Sequence, residues 1–591
     1  MRLEEYWGVG PKTRDRLVDK LGTERAIQAI ERGDVRELTD AGLARGRATR
    51  ILRRATGGPG VDTLATPDAR TAYKEVLELA ARHALTERAA DRIRILTPLA
   101  TRDEMDARLD EVLAARDAWQ RLDDDSRERV ISAYERYDEH GESVRAAITT
   151  AITLRDTGVE TGPFEPVSDL ETEVLVSAAD ALDATADGRV RSSADDELER
   201  LRTALDAVSD LESNALTVIE ELRSDGVRDV ADFREAFERH LLGATTLDGE
   251  RIREAMPGDA TDATDFVTQT LRSLRTSLAE AVDEREAAVE TAVTDTVSET
   301  RDDVDRAVEI VDDIALSLSL ARFALAYDCR RPTYAAGSEA ALAMVEARNL
   351  TLEAANDSVQ PVTYALGAHG LESAPDDAGV PGDERVTVLT GANSGGKTTL
   401  LETCFQVVLL ASMGLPVPAA HATVTPVDTL VFHRRHASFN AGVLEATLRS
   451  VVPPLAERGR TLMLVDEFEA ITEPGSAADL LHGLVRLTVD RDALGVFVTH
   501  LAEDLEPLPA AARVDGIFAE GLDDDLDLVV DYQPRFDTVG RSTPEFIVSR
   551  LVANAGDRTE RAGFETIAEA LGQEVTQQSL TDACDVAASQ D

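Results

Sequence analysis

The sequence predicts a multidomain, mostly α chain that closes with an α/β domain. Three observations carry this. From about Ala69 to Leu325, apolar residues recur at helical spacing in stretches rich in Ala, Leu, Glu and Arg, with few Gly or Pro inside them. After Pro332 the period changes to short β-like runs alternating with helical segments and Gly-rich turns. At 591 residues, the chain exceeds what a single hydrophobic core serves.

Composition bounds the class. The chain carries 62 Lys+Arg against 112 Asp+Glu, a formal net charge of −50, and only four of the basic residues are lysine. A hydrophobic content of 43% excludes global disorder. Abundant carboxylates, scarce lysine and 4% aromatics match a proteome adapted to molar salt, as in a halophilic archaeon, where surface ion pairs are screened. The acidic surface therefore says little about partners. The best apolar run, Cys404 to Leu415, is short and interrupted by Gln406 and Ser412. The start, MRLEEYWGVG, lacks a basic region followed by an apolar block, so no secretion signal is expected and the chain reads as soluble and cytoplasmic. Cys329, Cys404 and Cys584 lie too far apart to read as a disulfide framework or a thiolate metal site.

The first element is residues 1–56. Through residue 55 it holds 13 basic and 9 acidic side chains, a local charge of +4. Gly8-Val9-Gly10 reads as a hairpin turn, followed by a helix from Pro11 to Leu21 with Leu17, Val18 and Leu21 on one face. A less regular copy runs from Ala41-Gly42-Leu43 to Ala48. The pair resembles tandem helix-hairpin-helix motifs, which implies a DNA-binding module. Such turns bring backbone N–H groups to a helix N-terminus, which suits a phosphate without reading sequence. Gly8 and Gly10 would shape the turn, and Lys12, Arg45, Arg47 and Arg50 would add charge. A small protein-docking domain is the alternative.

Residues 57–69, rich in Gly and Pro, read as a linker, and 70–330 as a helical core with a lever or clamp. One long helix is expected from about Phe266 to Leu325, because Leu271, Leu274, Leu278, Val282, Val289, Val293, Val297, Val304, Val308 and Val311 form one stripe. At this length it would span on the order of 90 Å. Its expected partner is the segment Leu198 to Leu222, in an antiparallel coiled coil; several shorter bundle helices are the alternative.

The α/β domain is expected over 331–552, followed by a helical tail over 553–591. Its first buried-strand pattern, Val386 to Thr390, ends directly at Gly391-Ala392-Asn393-Ser394-Gly395-Gly396-Lys397-Thr398, which fits G-x-x-x-x-G-K-[ST] at every fixed position. Thr399-Leu400-Leu401-Glu402 then begins a helix. In such a loop, backbone N–H groups converge on phosphate oxygens, the lysine meets the β and γ phosphates, and the Thr398 hydroxyl ligates Mg²⁺. A sequence that has nearly eliminated lysine keeps one here, where arginine's planar fork does not replace a compact ammonium. A second run, Thr461 to Val465, delivers Asp466 and Glu467 at its end. Asp466 would hold Mg²⁺, and Glu467 would activate water. A third, Val496 to Thr499, ends at His500, placed to sense the γ phosphate.

With these residues in view, roughly residues 70 to 552 resemble the MutS superfamily. The family's T-G-x-N-x-G-G-K-[ST] reads Thr390 to Thr398, and its G-x-x-V-P-A turn looks like Gly414-Leu415-Pro416-Val417-Pro418-Ala419. Val427 to Phe432 resembles the next strand. An abbreviated signature segment appears as Ser438-Phe439-Asn440 with Glu445, and Asp466-Glu467 and Thr499-His500 follow in order. Ala89 to Leu99 and Ile314 to Pro332 look like the family's helical core. The resemblance implies an ABC-type P-loop ATPase domain using ATP and Mg²⁺, and a homodimer in which each nucleotide lies between one phosphate loop and the other copy's Ser438 segment. Hydrolysis would drive a clamp around branched, mismatched or damaged DNA. An ABC-type mechanical ATPase acting on ribosomes or chromosomes is the alternative. Nothing before residue 70 houses the family's mismatch-reading domain, and Phe233-Arg234-Glu235 lies in the helical region. The second Gly of the family's D-E-x-x-x-G-T stretch is missing, and its Arg-His-Pro reads Arg348-Asn349-Leu350. These departures point to the branch without mismatch recognition. The tail is too short for the small nuclease domain that some of those relatives carry.

Overall fold

The computed structural model describes residues 2–186, 189–191, 194–224, 230–335, 340–356, 358–369, 380–382, 384–391, 396–435, 441–456, 459–468, 474–522, 528–540, 544–553 and 555–571. It divides into two compact units, one of residues 1–135, 161–163 and 312–591, the other of residues 136–160 and 164–311. The helical stretch 70–330 is thus shared between two units.

The first unit begins with helices α1 (Pro11–Leu21), α2 (Thr23–Glu31), α3 (Val35–Asp40) and α4 (Arg45–Gly57). They bury Tyr6, Leu17, Ile30, Leu38, Ile51 and Leu52 in a small core. Gly10 caps α1, and Pro11 takes the first helical position, where no N–H is needed. Helices α5 (Pro67–Ala81), α6 (Glu87–Arg94), α7 (Arg102–Arg121) and α8 (Asp124–Glu139) follow. Thr66, Thr86 and Thr101 start three of them by accepting a backbone N–H, and Thr101 forms a reciprocal box with Glu104.

The second unit contains α9 (Val144–Asp156), α10 (Thr172–Ala184), a two-residue ladder β1 (Thr185–Ala186) with β2 (Arg189–Val190), α11 (Asp196–Ser213), α12 (Ala215–Ser224), α13 (Val230–Ala244), α14 (Gly249–Ala255) and α15 (Ala263–Glu299). Both α11 and α12, the expected partner segment, pack on α15. Arg285 pairs with Asp195 at 2.6 Å and Arg275 with Glu212 at 3.1 Å, which sets α11 antiparallel to α15. Phe233 is buried edge-on against Phe266, as a core residue.

The single helix expected from Phe266 to Leu325 is instead two, α15 and α16 (Arg301–Ala326), with Thr300 between them at φ −91°, ψ 0°. The Thr300 hydroxyl donates to the Thr296 carbonyl at 2.8 Å, back-bonding of the kind that bends helices. The apolar stripe runs through this point unbroken, so periodicity could not report it. Its burial resumes in α16 at Ala307 and Val311, but within α15 it ends at Val282, with Val297 40% exposed. The reason is the partner's length: α11 starts opposite Arg285.

The α/β domain belongs to the first unit. It comprises β3 (Thr333–Tyr334), β4 (Ala341–Ala347), α17 (Leu350–Glu353), β5 (Val362–Gly367), β6 (Val386–Gly391), α18 (Lys397–Ser412), β7 (His421–Val424), β8 (Thr429–His433), α19 (Ala441–Ala456), β9 (Thr461–Asp466), α20 (Pro474–Asp490), β10 (Leu494–Val498), β11 (Ala512–Leu522), β12 (Leu528–Arg535), α21 (Pro544–Ala553) and α22 (Arg558–Leu571). Six strands form one sheet in the order β12-β11-β6-β10-β9-β8, parallel except for the β11–β12 pair. The other sheet has the order β3-β7-β4-β5. Unbroken apolar runs become β6 and β9, buried at every position as central parallel strands require. The run Cys404 to Leu415 falls largely in α18, which packs against strands of both sheets. No helix among the described residues is long and apolar enough to cross a membrane.

The segment read as a linker lies along the edge strand β8. The Ala65 amide donates to the Leu430 carbonyl at 3.1 Å. Thr66 donates its hydroxyl to the Phe432 carbonyl at 2.6 Å and accepts the Phe432 amide at 3.2 Å. Residues 523–527, and residues 572–591 of the tail, lie outside the described residues.

Candidate functional site

Three parallel strands deliver their C-terminal ends to one place, the usual ligand edge of such a sheet. Val498 of β10 pairs with Leu389 of β6 on one side and Asp466 of β9 on the other. The Thr499 amide donates to the Leu389 carbonyl and the Glu467 amide to the Val498 carbonyl, both at 3.1 Å. Gly391 closes β6 at φ 131°, where a Cβ would stand 2.3 Å from the Ile517 carbonyl oxygen. Gly396, left-handed at φ 77°, caps α18, and a Cβ there would stand 2.7 Å from the Tyr532 ring. Both positions require glycine.

The side chains that this framework gathers are the expected ones. Lys397 is 4% exposed, with Nζ donating to the Gly391 carbonyl at 2.7 Å. Thr398 donates its hydroxyl to Asp466 Oδ2 at 2.7 Å. The other oxygen, Asp466 Oδ1, is buried with no hydrogen-bond partner among the described residues. Burial pushes the Asp466 carboxyl above the usual aspartate range, against the pull of the Thr398 hydroxyl, and the neighbouring Glu467 adds to the rise. Glu467 holds an uncommon left-handed backbone, φ 42°. Its Oε1 lies 3.3 Å from His500 Nε2, and its Oε2 accepts from Arg435 at 2.7 Å.

Sequence reasoning missed several groups here. A cavity of about 510 Å³ adjoins Gly396, Lys397 and Thr398 and is walled by Asn349, Leu352, Gln360 and Tyr532. Asn349 caps α17 and reaches the Thr403 hydroxyl at 3.3 Å. Gln360 ties its loop to β12 through Asp531 at 2.9 Å. Only the departure at Arg348-Asn349-Leu350 hinted at this wall. Arg435, beyond the end of β8, had no signal of its own. Ala392, Asn393, Ser394, Gly395 and Ser438 lie outside the described residues, while Thr399 stands in the first turn of α18.

The N-terminal candidates lie apart from this edge. Gly8 precedes Gly10 in the first turn, and Lys12 is exposed. Arg47 donates to the Thr13 hydroxyl at 2.6 Å and to the Gly8 carbonyl at 3.4 Å. Arg16, missed in the sequence, answers from α1 with a 2.9 Å bond to the Gly42 carbonyl. Arg45 is paired with Asp91, and Arg50 donates to the Gly46 carbonyl at 3.1 Å.

Comparison with known proteins finds relatives that match part of the chain. The DNA-binding protein MutS2 of Pyrococcus furiosus is 46% identical over 215 residues, 36% of this chain and 36% of that one. Several of the curated proteins similar to this chain are named MutS2. An endonuclease MutS2 of Thermomicrobium roseum is 32% identical over 124 residues, 20% of this chain and 16% of that protein. A DNA mismatch repair protein MutS of Granulibacter bethesdensis is 33% identical over 172 residues, 27% and 18% of the two chains. The chain thus spans little more than a third of the first relative's length and less of the others. No family model matches it.

Proposed function

We propose that this chain is a Mg²⁺-dependent ATPase of MutS type that works as a homodimer and uses ATP to clamp on structured, branched or damaged DNA. One observation carries the ATPase reading: Thr398 and Asp466 joined at 2.7 Å beside the buried ammonium of Lys397, with Asp466 Oδ1 unpartnered among the described residues. That oxygen and the Thr398 hydroxyl fit Mg²⁺, which takes one or two protein oxygens and shares substrate phosphates. Bound there, the ion would offset phosphate charge as the γ-phosphoryl group leaves. Lys397 exchanges the Gly391 carbonyl for β- and γ-phosphate oxygens, a swap that keeps its ammonium hydrogen-bonded throughout.

Glu467 orients the attacking water and draws on its proton, and His500 fixes the carboxylate from one side. The cavity walled by Asn349, Gln360 and Tyr532 takes the base. The segment around Ser438 of a second copy completes the enclosure. The names of the MutS relatives support DNA as the clamped partner, and the hairpin turns of α1 and α4 supply a contact that reads no sequence.

The decisive experiment measures ATP turnover and nucleotide retention in magnesium buffer, then gel shifts on duplex, mismatch, fork and four-way junction with and without ATP. Turnover that Lys397→Ala abolishes, with ATP-dependent DNA binding, is the expected result. Retention of no adenine nucleotide would sink the ATPase. Ribosome co-sedimentation without DNA binding would replace the DNA partner.

A further inference from the structure

We infer that Trp7 is a stacking platform for an unpaired nucleobase and that, together with Lys12 across the Gly8–Gly10 turn, it makes the N-terminal module select gapped or branched DNA over continuous duplex. The inference rests on the DNA-binding reading above and names the feature that is read.

The chain has two tryptophans, and they are treated in opposite ways. Trp119 is 9% exposed in α7, whereas Trp7 is 55% exposed, immediately before the Gly8 turn. Trp7 is not left loose. The Arg54 guanidinium lies over its ring, 5.3 Å from the centroid, and is itself held by both oxygens of Asp62 at 2.7 and 2.5 Å. A flat ring fixed by an anchored cation and open to solvent is prepared for a second flat partner.

Charge says which partner. Most arginines near the two turns are already engaged: Arg14 with Glu4 and Asp15, Arg16 with Gly42, Arg45 with Asp91, Arg47 with Thr13. Lys12 differs, being exposed and without a partner among the described residues. It is one of four lysines in the chain, and another of the four serves the phosphate loop. A single compact ammonium five residues after an open indole, on the other side of one hairpin turn, matches one phosphate and a base near it. Duplex offers the phosphate but keeps its bases stacked inside. A gap or junction offers both. Stacking is also sequence-tolerant and is not screened by salt as phosphate contacts are.

The test uses the full-length protein without nucleotide, and fluorescence anisotropy on two labelled DNAs: a continuous duplex, and the same duplex with a short single-stranded gap. Trp7→Ala is expected to weaken gap binding about tenfold while leaving duplex binding within about twofold. Trp7→Phe should keep most of the gap preference. Lys12→Ala should weaken both DNAs alike and flatten the salt dependence. In addition, the difference in emission between wild type and Trp7→Phe should be quenched by gapped DNA and not by duplex. Equal losses on both DNAs in Trp7→Ala, or no loss on either, overturn the platform while leaving DNA binding intact. Failure of the wild type to bind either DNA overturns the underlying reading instead.

Discussion

The strand-end site and the hairpin module handle polar groups in opposite ways. At the ends of β6, β9 and β10, charged side chains are buried, and one carboxylate oxygen has no hydrogen-bond partner among the described residues. An unsatisfied buried acceptor is costly, and a fold keeps one where a ligand will meet it. In the hairpin module the charged groups are exposed, and most are already spent on neighbouring carbonyls and carboxylates. The contrast teaches that a net positive charge is a poor guide to a binding surface, while an unmet buried carboxylate oxygen set beside a buried ammonium and a hydroxyl points to one.

The comparison is broken most severely at Lys397. Lys397→Ala is expected to lower ATP turnover at least about a hundredfold, as loss of a charge-stabilising donor does, measured by phosphate release. Glu467→Gln should cut turnover on the order of a hundredfold while ATP stays bound, visible as retained nucleotide and a dimer in light scattering.

Asp466 sharpens the contrast through pH. Its carboxyl titrates above the ordinary aspartate value, so its charge burdens the folded state at neutral pH. The burden begins to lift as pH falls through the raised value and is gone below the ordinary value of about 3.9. Asp466→Asn should therefore raise the melting temperature of metal-free protein at neutral pH, with a gain that shrinks toward acid, and should abolish Mg²⁺-dependent nucleotide binding. A neutral-pH loss of stability would contradict the role. The smallest effect belongs to the other region: Arg47→Ala should cost about 1 kcal/mol, read as faster hydrogen exchange at the α1 and α4 amides, with ATP turnover unchanged.

The strand-end cluster was legible because the chemistry read from its motifs demands residue types in a fixed local order. The loop from Gly391 to Thr398, the Asp466-Glu467 pair and His500 each follow a buried strand, and the strands fell within two residues of their expected limits. Tyr532, Gln360 and Arg435 were not legible, because they meet the site across more than a hundred residues of chain or through a loop without a pattern. The break at Thr300 was hidden for another reason. A stripe repeating every three to four residues records which face is apolar, not whether a partner exists to cover it, and α11 covers only part of α15.

The strip that joins Leu64, Ala65 and Thr66 to the margin of β8 does more than shield an open strand edge. Asp68, two residues on, accepts the Arg434 amide at 2.9 Å, and Arg434 is followed directly by the arginine that grips Glu467. A tug on the amino-terminal helices would accordingly travel through the bonds of Ala65, Thr66 and Asp68 to the β8 margin and arrive at Arg435 and its partner Glu467.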